Sequence, residues 1–146
     1  MRESTRKDQS MHPPTIDHIG IVVQDLEKAI ATYEKALGVQ GVREVLPDRH
    51  LEIAFFPVGE SRIELITPTS DESAVTRFLE KRGEGIHHIA YRVVDIVDAL
   101  EQAERAGLRL IDKQARPGAH GTLVAFLHPA SLHGVLTEYV QVVDED

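Results

Sequence analysis

Short β-branched runs alternate with helical apolar stripes along this chain, and their order repeats. Residues 16–23 (IDHIGIVV) predict a strand. Asp25 then reads as a helix N-cap, with Leu26, Ala29, Ile30, Tyr33 and Leu37 at helical spacing and Gly38 as the stop. Residues 42–46 predict a second strand and Pro47–His50 a turn. Leu51–Phe56 and Arg62–Ile66 predict a hairpin around Gly59-Glu60. A short helix follows at about residues 71–82, for which Thr69 and Glu72 suggest a capping box. The order then returns. Residues 86–94 predict a strand, and Ile96, Ala99, Leu100 and Ala103 a helix ending at Gly107. Further strands are expected near 108–112, 122–127 and 135–141. The pattern predicts an α+β fold of two tandem βαβββ modules, 16–68 and 86–141, joined by a helical linker 69–85 within one domain, 16–141.

The repetition extends to residue identity. Laying 16–37 on 86–107 matches eight of twenty-two positions, among them His18/His88, Asp25/Asp95 and Glu34/Glu104. One supersecondary unit has been used twice. Each copy carries a histidine in its first strand, and each ends in an apolar strand bearing an acid, Glu64 or Glu138. His18 and Glu64 are 46 residues apart and His88 and Glu138 are 50, the difference matching the longer Pro129–Gly134 loop. A carboxylate inside an apolar strand is costly unless paired or bound to a cation. Two His and two Glu related by a pseudo-twofold can converge on one divalent ion. An N2O2 set without sulfur suits Co, Mn, Ni, Zn or Fe in the divalent state. An ion so held polarises a chelated carbonyl and acidifies the adjacent C–H. That chemistry needs a base. Glu52, flanked by apolar residues, is the candidate, expected to share a hairpin face with Glu64; partial desolvation would raise its pKa toward a useful value.

Composition narrows the partners. The 146 residues contain no cysteine, which excludes disulfides and thiolate ligands. A formal net charge of −8 argues against a nucleic-acid partner. No apolar run is long enough to span a membrane. Residues 1–15 read as a disordered tail, with Met11 an alternative start; they lack a secretory signal, so a cytoplasmic protein is expected.

The segments DHIGIVVQDLEKAIATYEKALG (17–38), IELITPTSDESAVTRFLEKRGEGIHHIAYRV (63–93), GAHG (118–121), FLHP (126–129) and GVLTE (134–138) carry a resemblance. The chain resembles the methylmalonyl-CoA epimerase family of the vicinal oxygen chelate (glyoxalase/bleomycin resistance/dioxygenase) superfamily over residues 16–141. The resemblance implies that the modules form a cup-shaped mixed sheet around a metal, with His18, Glu64, His88 and Glu138 as ligands. It implies Co2+ first, with Mn2+, Ni2+ or Zn2+ as alternatives. It makes Glu52 the base at C2 and Glu138 the second acid, with His120 and His87 as further candidates for that role. The substrate implied is an acyl-CoA, interconverted between (R)- and (S)-methylmalonyl-CoA, and the assembly implied is a homodimer. Some relatives have glutamine where Glu64 stands. A glyoxalase I-type lactoylglutathione lyase can show the same His/Glu/His/Glu set, and a non-catalytic ligand-binding member of the superfamily is the third alternative.

Overall fold

The structure, a computed structural model, describes residues 13–143. The tail expected over residues 1–15 lies, as far as residue 12, outside the described residues; Thr15 already opens the first strand. The elements run β1 (Thr15–Val22), α1 (Leu26–Leu37), β2 (Val42–Leu46), β3 (Leu51–Val58), β4 (Ser61–Pro68), α2 (Ala74–Arg82), β5 (Gly85–Arg92), α3 (Ile96–Arg105), β6 (Arg116–Pro117), β7 (Thr122–Leu127) and β8 (Thr137–Val142). The class is α+β with a mixed sheet, since β1 and β4 are parallel while β2–β3, β3–β4, β6–β7 and β7–β8 are antiparallel. Two compact units divide the chain. One is His18–Ile89; the other joins the residues up to Asp17 to those from Ala90 onward. The divisions therefore cut through β1 and β5.

In the first unit the strand order is β2-β3-β4-β1. Alternation along these strands sends two sets of side chains to two faces. Val23, Leu26, Ala54, Phe56 and Leu65 form one core, joined by Ile30 and Tyr33 of α1. Val22, Ile53, Ile66 and Val75 form another, joined by Phe78 and Leu79 of α2. So α1 covers one face and α2 part of the other. The cap of α1 is as expected: an Asp25 carboxylate oxygen accepts from the Lys28 N–H at 3.1 Å, and Gly38 closes the helix at φ 72°. That of α2 is not. The capping side chain is Ser73, accepting from the Val75 N–H at 3.3 Å, while the Thr69 N–H goes to the His50 carbonyl.

The second unit repeats the scheme. An Asp95 carboxylate oxygen caps α3 by accepting from the Asp98 N–H at 3.1 Å. Ile96 and Leu100 pack on Ala125, Leu123 and Tyr139, while Val124, Val140 and Ala90 form a smaller cluster. The strand expected at 108–112 is reduced to an isolated bridge, Leu110 to Leu127. Ile111 and Asp112 both donate to the one Phe126 carbonyl, and the Asp112 carboxylate takes the Phe126 N–H at 2.8 Å. A side chain thus occupies the place of the next backbone acceptor, and the ladder stops. The regular partner of β7 on that side is the two-residue β6.

Candidate metal centre

Three of the four expected ligands meet in the first unit. His18 on β1, Glu64 on β4 and His88 on β5 present donor atoms that all lie within 4.8 Å of one another. The parallel register sets Gly20 beside Glu64, which puts His18, two residues back, on the Glu64 face. His18 Nε2 is 3.1 Å from His88 Nε2 and 3.8 Å from Glu64 Oε1. Both imidazoles are buried, and Glu64 is nearly so. The donor set fits a divalent cation. Two nitrogens bound at about 2.1 Å to one ion, at an angle of about 95°, are separated by the distance seen here. The two rings pack edge to face, 5.1 Å between centroids at 89°.

Gly20 makes this approach feasible. A Cβ on Gly20 would stand 2.4 Å from His88 Cε1 and 2.7 Å from His88 Nδ1. The imidazole occupies the volume of the missing side chain. A glycine in the middle of a β-branched run marks such a close approach, and this was the readable signal for a residue that the sequence argument passed over.

Glu138 lies in the second unit, on β8, and is buried. Its local setting duplicates that of Glu64: Glu138 is paired with Phe126 across β7, as Glu64 is paired with Phe55 across β3. The Asp17 carboxylate, immediately before His18, is also buried and accepts from Arg92 Nη2 at 2.7 Å and Nε at 3.1 Å.

The expectation that Glu52 shares a face with Glu64 is corrected by the register. Glu52 pairs with Thr67 and with Val45, three residues out of step with the Phe55–Glu64 pair, and so lies on the opposite face of the sheet from Glu64. There it receives Arg43 Nη2 at 2.8 Å, and Arg43 also pairs with Glu27 of α1. Those two carboxylates, Glu52 first, raise the Arg43 pKa. Ile53 and Phe55 take the Glu64 face on β3. Arg62 shares that face with Glu64, its guanidinium 4.5 Å above the Phe55 ring. Of the other expected acids, His120 is exposed in a left-handed turn at φ 58°, whereas His87 Nδ1 lies 3.0 Å from His88 Nδ1.

The site is thus a β-strand scaffold that gathers two histidines and a glutamate, a donor set able to hold a divalent ion, from a duplicated βαβββ unit. The sequence profile of the Glyoxalase/Bleomycin resistance protein/Dioxygenase superfamily matches residues 17–126, and the chain belongs to this superfamily. The ethylmalonyl-CoA/methylmalonyl-CoA epimerase of Cereibacter sphaeroides is 39% identical over 130 residues, covering 87% of this chain and 97% of the relative. The crystal structure of methylmalonyl-CoA epimerase from Mycobacterium tuberculosis superposes with a TM-score of 0.81 at 34% identity, covering 89% of each chain. A methylmalonyl-CoA epimerase in complex with methylmalonyl-CoA and NH4+ gives the same score and identity, over 89% of this chain and 95% of the other. No helix among the described residues is long and apolar enough to cross a membrane.

Proposed function

We propose that the chain is a metal-dependent epimerase that interconverts (R)- and (S)-methylmalonyl-CoA by removing and returning the proton at C2. The observation that carries this is the buried His18–Glu64–His88 triad, in a chain that covers nearly the whole of a related acyl-CoA epimerase. His18 and His88 supply imidazole lone pairs and Glu64 a carboxylate. Glu138, the repeat counterpart of Glu64, is proposed as the fourth ligand and as a proton carrier at C2. Co2+ is the proposed ion, and its chemistry is to polarise the thioester carbonyl so that loss of the C2 proton is less costly. Arg62, held over Phe55 on the Glu64 face, adds a fixed positive charge suited to an anionic acyl group. The burial of both histidines limits water at the reacting carbon. A cytoplasmic homodimer completes the proposal.

Deuterium exchange tests it. Cobalt-loaded protein in deuterium oxide is expected to place solvent deuterium at C2 of methylmalonyl-CoA while interconverting the two forms. Glu138→Gln is expected to slow this by at least about a hundredfold, the scale of general acid–base catalysis. Absence of exchange in the loaded protein, with turnover of the methylglyoxal–glutathione hemithioacetal instead, rejects the epimerase in favour of a glyoxalase I-type lyase. Full exchange by Glu138→Gln rejects that residue's role.

A further inference from the structure

Neighbouring residues on a strand point to opposite faces, so a ring-to-ring bond between His87 and His88 is not what the backbone of β5 alone would give. Yet the two Nδ1 atoms are 3.0 Å apart, with ring planes at 88°. We infer that His87 is a positioning residue: its Nδ1 accepts the Nδ1–H of His88 and so fixes the tautomer that leaves His88 Nε2 bare toward His18 and Glu64. The inference rests on the proposed metal site.

Three observations carry it. A neutral imidazole has one proton. If His88 Nε2 is to offer a lone pair beside His18 Nε2, 3.1 Å away, that proton is on Nδ1, where His87 Nδ1 stands within hydrogen-bond distance. His87 is itself held. The Phe78 ring packs against it edge-on, with centroids 5.0 Å apart at 76°, and the Arg82 guanidinium lies over the Phe78 ring, 5.6 Å from its centroid. Phe78 belongs to α2, which is anchored in the cluster of Val22, Ile53, Ile66 and Val75. Gly20 completes the arrangement by leaving room for the His88 ring. The helix thus sets the imidazole of His87, His87 sets that of His88, and the bare nitrogen is turned to the ion before any ion arrives. Partners of this kind on metal-bound histidines orient the ring and raise its basicity.

The test is ion affinity, measured by competition with a chromogenic chelator for Zn2+ and Co2+. His87→Phe keeps an aromatic ring against Phe78 but lacks the acceptor, and is expected to weaken binding about 10- to 100-fold. The unfolding midpoint of the metal-free protein is expected to stay near native. His87→Asn, whose amide oxygen can replace Nδ1 as acceptor, is expected to recover most of the loss. Equal affinity in native protein and His87→Phe overturns the inference alone. A native chain that takes up no divalent ion overturns the metal reading and this inference with it. Long-range proton–nitrogen correlation spectra of the zinc-loaded native protein provide a readout without substitution. They are expected to show His88 protonated at Nδ1 and His87 at Nε2; the reverse assignment on either ring overturns the proposal.

Discussion

Gly20 illustrates how one absent side chain decides the chemistry of a site. Gly20→Ala drives a methyl group into the His88 imidazole, which must swing away from His18 and Glu64. The expected cost is about 1–3 kcal/mol of stability, the usual range for overpacking a tight site. Divalent-ion affinity, read by calorimetric titration, is expected to fall at least about tenfold, since a displaced donor removes a ligand. Glu52 makes the opposite case. Because it faces α1 and pairs with Arg43, Glu52→Gln is expected to leave deuterium exchange at C2 within about threefold of native. Its effect on stability is expected to be below about 1 kcal/mol, as for other exposed pairs. The sheet face of Glu52 was in fact readable. Once Gly59-Glu60 is taken as a two-residue turn, Val58 faces Ser61, and counting back along both strands sets Glu64 opposite Phe55. Residue 52 then falls out of phase with the ligand strand. Apolar flanks alone do not reveal the face, since residues of both faces of β3 are apolar.

At the level of elements, the strands bearing His18, Glu64, His88 and Glu138 were legible because β-branched periodicity and the repeat agreed. Two details were not. The linker helix starts at Ser73 rather than at Thr69, since the Thr69 amide is committed to the His50 carbonyl and so continues the pairing beyond β3 and β4. Ser73→Ala is expected to lower the unfolding free energy by about 1 kcal/mol, measured by urea titration, because Ser73 supplies the cap for α2. The strand expected at 108–112 is replaced by side-chain bonding from Asp112, a competition that apolar periodicity does not register. Arg92 on β5 supports the start of β1 through the buried Asp17 carboxylate. Arg92→Ala is expected to cost about 2 kcal/mol by leaving that carboxylate short of a charged partner, with the half-exposure of Arg92 moderating the loss.

For the molecule as a whole, a bound ion is expected to be a thermal stabiliser as well as a cofactor. At a free concentration a hundred times the dissociation constant it contributes about 2.7 kcal/mol, so chelation is expected to lower the melting temperature by several degrees in calorimetry. The triad itself draws on both sequence repeats, His18 and Glu64 from the first and His88 from the second, within a single compact unit. A half-length ancestor encoding one histidine and one glutamate could have assembled this centre only by meeting a sister chain. Gene fusion would have made that encounter permanent, and Gly20, which stands where the second copy has Ala90, is the position whose missing side chain admits the His88 imidazole.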